Sequence, residues 1–458
     1  MSDVIIVGGG MAGLSAAYYL QKASPHVQIT LLEASQRLGG KIQTVHDQGF
    51  LVEGGPDAVV RYKPWALEMW QDLNLSEQII GTIPAKPSAL IHNGKQALSI
   101  PSGLQAVIPG DLAAMASTSL LSPLGKLRAL MDWAIPRGAP EDEAFGHFIQ
   151  RRLGKEIWER LVSPLTGGIY GGDPYELSTL AAFPQLKALE QTHGSLLRGA
   201  LEQRKARGSR ETGQIFAALK DGLSVWVSAI KESFNKDRVR IYTHTGVQAL
   251  SRKGDSWQVQ TSQGWLSAQA VMLTTPAAIS AKLLHPIHPE AAKALSEIPY
   301  GDSATVSLAF PKETLPRRVG HGILMTVNSG FKVRGFSWTD QKWPQRAPED
   351  YALMRAYVSG VAASREELLA LTLKDLKKLW GHVPEYVHSW VFHWKEGLPQ
   401  YKVGHLQRVQ EALRAEGLPG LFLVGAAYQG VGLPDIVKLS KEQAFKVTEF
   451  MSQTDTVI

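Results

Sequence analysis

The chain has 458 residues, 44% hydrophobic and 20% charged, and its 48 Lys plus Arg against 42 Asp plus Glu leave a formal charge of +6. That describes a globular protein of two to four domains at about 100–200 residues each, with a charge excess suited to an acidic small molecule or an anionic membrane surface and, lacking a clustered basic stripe, not to nucleic acid. The absence of cysteine excludes disulfides, Cys-ligated zinc, iron–sulfur clusters, thiolate nucleophiles and flavin attached through Cys.

Ser2 and Asp3 lead directly into the apolar run Val4–Val7, so no secretory leader is expected. Val4–Val7 reads as a fully apolar strand, Met11 to Ala23 as an Ala- and Leu-rich helix, and Val27–Leu32 as the next strand after a turn at Pro25. The charge-poor stretch Ala97–Leu124 is broken by Pro101, Pro109, Asp111 and Pro123, which argues against a spanning helix. From about Pro109 to Gln203 the pattern is mostly helical. Short strands follow at Arg238–Thr243, Val247–Ser251, Trp257–Thr261 and Val271–Thr275, with further strands at Thr305–Phe310 and Ala352–Val358. Glu366–Trp380 reads as a helix. The chain closes with a strand Leu421–Val424, a Gly-rich loop Gly425–Gly432 and a helix from about Asp435 to Phe450. A nucleotide-binding opening and a Gly-rich close suggest one domain built from both ends.

The opening motif is specific. Gly8, Gly9, Gly10, Met11, Ala12 and Gly13 form GxGxxG directly after a strand and at the start of a helix, and Glu33 ends the next strand 20 residues past Gly13. This is the dinucleotide fingerprint. Gly8 permits the tight turn, Gly10 lets the backbone approach a pyrophosphate, and Gly13 allows close helix–strand packing. The helix N-terminus offers N–H groups to phosphate, and Glu33 can accept from ribose hydroxyls. Arg37-Leu38-Gly39-Gly40-Lys41 and then Glu53-Gly54-Gly55-Pro56-Asp57 follow. The first resembles the second signature of the FAD-containing amine-oxidase-like superfamily. Gly430-Val431-Gly432-Leu433-Pro434-Asp435 can lie against a flat ring and aim a helix N-terminus at a reduced flavin; an ordinary helix cap at Asp435 is compatible with the same residues.

Further motifs are Ser163-Pro164-Leu165-Thr166-Gly167-Gly168-Ile169-Tyr170-Gly171-Gly172-Asp173, Phe183-Pro184-Gln185, Trp338 to Trp343-Pro344, Leu353 to Val358, and Leu398 to His405. With these the chain resembles, nearly end to end, the oxygen-dependent porphyrinogen oxidases. It is most similar to the coproporphyrinogen III oxidases of monoderm bacteria, relatives of protoporphyrinogen IX oxidase. Two departures are Ile436 where the family usually has Cys, and Arg61 where it often has an acid.

The resemblance implies a mixed α/β fold in three parts. A Rossmann-type FAD domain takes 1–65, 224–285 and 412–458. A mixed-sheet substrate domain takes 66–80, 165–223 and 286–411. A helical lobe takes 81–164. With Lys126, Arg128, Arg137, Arg151 and Arg152, that lobe reads either as a peripheral membrane contact or as a solvated helical face. The implied reaction is a six-electron oxidation of a porphyrinogen by three flavin cycles, with O2 reduced to H2O2. FAD is non-covalent, and its implied contacts add Ala34, Gly40, Lys41, Gly55, Pro56, Asp57, Ala58, Val247, Trp394, Gly425, Val431, Gly432 and Leu433 to the fingerprint residues and Arg37.

On the substrate side, four propionates on coproporphyrinogen call for cations at the pocket rim. Lys63 is the first candidate, followed by Arg61, Arg355 and Lys402, with a structural ion pair as the competing role for Arg355. Ile169 and Tyr170, in the Gly-rich loop, are candidates for packing on the macrocycle. No indispensable acid–base pair is expected, because the flavin carries the redox step. His285 and His288 lie in a Pro-containing loop without metal-ligand spacing, and no metal is expected. The implied setting is the cytoplasm, with membrane association as its variant and a haem-pathway ferrochelatase as a transient partner. Competing functions are protoporphyrinogen IX oxidase, another flavin amine oxidase or desaturase, and a non-catalytic carrier like the GDP-dissociation inhibitors.

Overall fold

The computed structural model describes residues 3–105, 107–170, 173–207 and 214–455. A five-stranded parallel sheet is ordered Val239–Tyr242, Ile29–Leu32, Val4–Val7, Ala270–Leu273 and Leu421–Leu423. Its central strands, Val4–Val7, Ile29–Leu32 and Ala270–Leu273, are buried at every position, as expected of parallel strands covered on both faces. The helices Met11–Ala23 and Leu433–Asp455 pack together on this sheet. Ser440 Oγ donates to the Ala12 carbonyl at 3.0 Å, and Ser24 Oγ donates to Thr448 Oγ1 at 2.8 Å. Residues from both ends of the chain thus form one layer.

A seven-stranded mixed sheet is ordered His388–Pro399, Tyr300–Pro311, Tyr351–Ser359, Gly335–Trp338, Gly322–Met325, Leu90–His92 and Ala97–Ser99. All neighbours are antiparallel except Gly322–Met325 with Leu90–His92. The helix Arg365–Trp380 packs on it, opened by a reciprocal cap in which Glu367 N donates to Ser364 Oγ and Ser364 N to Glu367 Oε2.

The helical lobe has its own core, including Phe145, Phe148, Trp158, Leu161, Leu186, Leu197 and Tyr401. Residues 90–92 and 97–99, allotted to this lobe from sequence, pair into the mixed sheet while Ile91 belongs to the lobe's core and Leu98 packs against it, and the helices Pro184–His193 and Leu196–Arg207 join that core. His288 has a local role: its Nδ1 accepts from Ala291 N at 3.2 Å and caps the helix Pro289–Ser296.

The expected Gly-rich loop around Ile169 is a helix, Ser163–Tyr170. It continues from a wider π-type turn, Trp158–Val162. That turn accommodates Pro164, which lacks an N–H for an ordinary helical bond, and Thr166 Oγ1 donates back to the Val162 carbonyl at 3.0 Å. The side chains of Ile169 and Tyr170 lie outside the described residues.

Of the cations expected on the lobe's surface, Arg152 is internal, Lys126, Arg128 and Arg151 are half-buried, and Arg137 is exposed. Arg152 is fully buried against Asp132 at 2.5 Å, and Arg151 pairs with Glu143 and Glu190 at 2.7 and 2.8 Å. Arg128 donates to the carbonyls of Gln150, Arg151 and Arg152, closing the C-terminal end of the helix Phe145–Leu153. Helical spacing does not distinguish a buried Arg from a solvated one.

Candidate active site

The first turn after Val4–Val7 is shaped by contacts no side chain could tolerate. Gly8 has φ +112°, a conformation reserved for glycine. Thr274 Oγ1 donates to the Val7 and Gly8 carbonyls, both at 2.9 Å. A Cβ at position 13 would sit 1.9 Å from the Gly8 carbonyl oxygen. At Gly10 the situation differs: a Cβ would find its nearest neighbour, Gly40 Cα, 3.9 Å away. Gly10 therefore faces a recess and not a packed wall. Gly39 N donates to the Gly9 carbonyl at 2.8 Å, which brings the second glycine pair against the first.

The helix Met11–Ala23 starts at Gly10 with no side-chain cap, so N–H groups of its first turn are available to an anion. Lys41 is accessible to water yet closely surrounded by protein, and that burial lowers its pKa. Among the described residues no carboxylate pairs with it. An open helix N-terminus, a recess lined by two glycines and an uncommitted ammonium fit a dinucleotide pyrophosphate.

Glu33 braces the turn. Its Oε2 accepts from Gly9 N and its Oε1 from Ser35 N, both at 2.7 Å. Ala34 lies near Gly246, beside Val247: a Cβ on Gly246 would be 3.7 Å from the Ala34 Cβ. The structure thus brings together the residues expected at the adenosine end. Arg37 donates to the carbonyls of Ile42 and Gly40 at 2.9 and 2.5 Å and lies over the Trp394 ring, 5.9 Å from its centroid. Trp394 Nε1 in turn donates to the Gly54 carbonyl at 2.8 Å, as does Thr305 Oγ1 at 2.9 Å. The segment from 33 to 58 is therefore tied to the mixed sheet. The loop at Gly425 is held by Tyr401, whose hydroxyl donates to the Ala426 carbonyl at 2.5 Å. Tyr401 stacks on His405, which burial and Arg408 push down to about 4. Val431 packs against the lobe's core, and Leu433 opens the final helix beside Gly432.

The expected rim cations do not all reach a rim. Lys63 donates to both oxygens of Asp435, at 2.7 and 2.6 Å, and remains about one-third exposed (35%). Arg61 Nε donates to the Phe216 carbonyl at 3.3 Å. Lys402 pairs with exposed Glu176 at 2.8 Å and joins neither residue in these contacts. Arg355 is buried, 4% exposed, and its Nη2 donates to the Gly55 carbonyl, with the guanidinium over the Tyr357 ring. This places it under the Gly54–Gly55 loop, because its strand runs through the middle of the mixed sheet.

Sequence reasoning missed Lys342. Its Nζ pairs with Asp57 at 2.9 Å and lies over the Phe216 and Trp343 rings. Trp343 Nε1 also donates to Asp57, at 3.2 Å. Burial opposes charge on Asp57, but Lys342 and Arg355 nearby, with these hydrogen bonds, hold its carboxyl well below the usual range. The available signal was the position of Lys342 within the Trp338–Trp343 motif. Glu53 was also passed over. It is 6% exposed, and burial pushes it up to about 7 despite hydrogen bonds from Leu223 N and Thr44 Oγ1 and the nearby Arg346 and Arg355.

The chain matches the family model described as flavin containing amine oxidoreductase over residues 11–438. It is 35% identical to the coproporphyrinogen III oxidase of Bacillus subtilis (strain 168), over 96% of this chain and 97% of that protein. It is 31% identical to protoporphyrinogen oxidase 1, chloroplastic, of Arabidopsis thaliana, over 99% of this chain and 89% of that protein. It superposes with a TM-score of 0.86 on a crystal structure from Exiguobacterium sp. 255-15 that carries a provisional protoporphyrinogen oxidase name, at 33% identity and with 98% and 99% of the two chains covered. With its fingerprint turn, glycine-lined recess and mixed sheet in one chain, the protein belongs to the flavin-containing amine oxidoreductase family.

Proposed function

We propose that this chain is an FAD-dependent coproporphyrinogen III oxidase of haem biosynthesis. It converts coproporphyrinogen III to coproporphyrin III, consuming three O2 and forming three H2O2. The observation that carries this reading is the 35% identity, over 96% of the chain, to a coproporphyrinogen III oxidase. The 31% identity to a plant protoporphyrinogen oxidase supports protoporphyrinogen IX oxidation as the second reading.

In this proposal the Gly10 recess, the first turn of Met11–Ala23 and Lys41 hold the pyrophosphate. Glu33 takes the ribose hydroxyls, and Ala34 and Val247 border the adenine. Gly55 to Ala58, Trp394, Gly425 and Val431 to Leu433 border the ring. The bound flavin supplies the two-electron acceptor that is reoxidised by O2. Lys63 and Arg61 receive the substrate's carboxylates, Asp435 aims the Lys63 ammonium, and Ile169 and Tyr170 pack on the macrocycle. A ferrochelatase is the expected recipient of the product.

The test is porphyrin fluorescence from the purified holoprotein supplied with O2 and either porphyrinogen. Faster turnover of coproporphyrinogen III is expected. A preference for protoporphyrinogen IX selects the second reading, and turnover of neither with flavin bound overturns both. Lys63→Ala should raise KM for coproporphyrinogen about tenfold or more, since a hydrogen bond to a charged group contributes about 1.5–3 kcal/mol. The rise for protoporphyrinogen should be smaller. Asp435→Asn is the control, because it frees Lys63 without removing it. Equal KM effects on both substrates would remove Lys63 from propionate recognition.

We place the protein in the cytoplasm, with peripheral membrane contact through the lobe. Leu124, Leu127, Leu130, Met131 and Trp133 are exposed along Pro123–Trp133, with Leu124 at 79%. Exposed Arg137 lies nearby in sequence. An exposed apolar stripe on a helix is suited to the interface of a bilayer, and among the described residues no helix is long and apolar enough to cross one. Leu124→Ser with Leu127→Ser and Trp133→Ser should reduce co-sedimentation with anionic vesicles severalfold and leave turnover in detergent-free buffer unchanged. Undiminished vesicle binding would rule out this face.

A further inference from the structure

Five charged side chains cluster under the Gly54–Gly55 loop: Arg346, Glu53, Arg355, Asp57 and Lys342. Their connections are unequal. Asp57 is directly paired with Lys342. Arg346 donates to the carbonyls of Leu219 and Lys220, at 2.8 and 2.6 Å. Arg355 bonds the Gly55 carbonyl, while its Nε and Nη1 have no hydrogen-bond partner. Both bonds to Glu53 come instead from neutral donors: Leu223 N to Oε1 at 2.7 Å and Thr44 Oγ1 to Oε2 at 2.8 Å. Of the two carboxylates, Glu53 is thus the one with no ion pair to hold its charge.

Glu53 also has a route to water. Thr44 lines an open groove of about 570 Å³ together with His46, Asp221 and Ser224. Glu53 directly precedes the Gly54–Gly55 loop, and Thr44, whose hydroxyl donates to Glu53 and accepts from Ser224 N at 3.0 Å, stands between the buried carboxylate and the groove. The charged groups facing it are Arg355 from Tyr351–Ser359 and Arg346 from the segment after Thr339–Lys342, and Asp57 and Asp221 also act on Arg346.

From this geometry we infer that Glu53 is a proton acceptor coupled to the flavin: it binds one proton from solvent, by way of Thr44, when the cofactor over Gly54–Gly55 is reduced, and releases it on reoxidation. The inference rests on the proposed flavin site. Two electrons and one proton taken up by the flavin leave one added negative charge, and in a buried site such a charge is weakly screened. Uptake of a second proton at Glu53 cancels it. Because Glu53 changes charge near neutral pH in the absence of that added charge, the extra uptake begins near pH 7 and extends upward.

The test is the pH dependence of the FAD midpoint potential, titrated with dithionite, in the holoprotein and in Glu53→Gln. From about pH 7 upward, the unmutated protein should take up one proton more per two electrons than the variant. Equal slopes with flavin retained overturn the inference alone, whereas failure of the unmutated protein to retain FAD overturns the cofactor site itself. If Glu53→Gln does not fold, the reduced-minus-oxidised infrared spectrum of the unmutated holoprotein at pH 8 decides. A new carboxylic-acid band on reduction supports the inference, and clean flavin reduction without one overturns it.

Discussion

Alanine at position 13 is expected to cost the protein about 3 kcal/mol or more of stability together with its flavin, whereas alanine at position 10 should cost the flavin alone. At position 13 the new Cβ would lie 1.9 Å from the Gly8 carbonyl oxygen and 2.8 Å from Thr274 Oγ1. That carbonyl accepts from the Thr274 hydroxyl, and Gly8 N donates to the Leu32 carbonyl of the neighbouring strand, so neither atom can yield without unpacking the helix from the strand. At position 10 the backbone has φ −73° and ψ −178°, which any residue adopts, and the nearest atom to a Cβ is 3.9 Å away. The methyl group would fill only the recess assigned to the pyrophosphate. FAD affinity should fall about a hundredfold, a loss of about 2.7 kcal/mol. Denaturant unfolding of the flavin-free proteins and flavin absorbance after gel filtration separate the two effects. A Gly10→Ala protein that keeps its flavin would show that the pyrophosphate does not lie there.

Arg152→Met is expected to destabilise the helical lobe by about 3–5 kcal/mol, the usual cost of leaving one member of a buried ion pair without its partner. Arg152 and Asp132 are both fully buried. The guanidinium also donates to the carbonyls of Asp132, Ile135, Pro136 and Gly194. Asp132 accepts in addition from Ser195 Oγ at 2.6 Å and Leu197 N at 2.9 Å. One pair therefore ties the turn after Pro123–Leu130 to the helices Phe145–Leu153 and Leu196–Arg207. Adding Asp132→Asn removes the stranded charge and should recover part of the loss. Hydrogen exchange across residues 145–153, read beside global unfolding, localises the effect. A double variant no more stable than Arg152→Met would show that the cost comes from the lost carbonyl contacts and not from the isolated carboxylate.

The glycine turn after Val4–Val7 was legible because each of its requirements is local. Val4–Val7 is apolar throughout, the glycines fall where backbone must approach backbone, and Glu33 follows at the end of the next strand. The helix Met11–Ala23 and the strand Val4–Val7 have the predicted bounds. The strand His388–Pro399 went unseen. It is an edge strand whose residues are mostly half-buried, so its apolar alternation is weak, and its partner Tyr300–Pro311 is distant in sequence. Arg355 was legible as a cation with a structural role in competition, but its place under Gly55 was not, and Lys63 showed no sign of Asp435, 372 residues away.

What a short stretch of chain determines here is backbone shape: where it must turn without a side chain, where a helix begins with its first N–H groups uncapped, and which runs must be buried. These depend on steric and solvation effects acting over a few residues. The charge state and task of each ionisable group were decided by the tertiary structure. Asp57 is held ionised by Lys342 and Arg355, while Glu53, four residues earlier, is pushed toward neutrality by burial. The difference arises because electrostatic energy depends on distance and dielectric surroundings, and both are set by segments that meet only when the chain has folded.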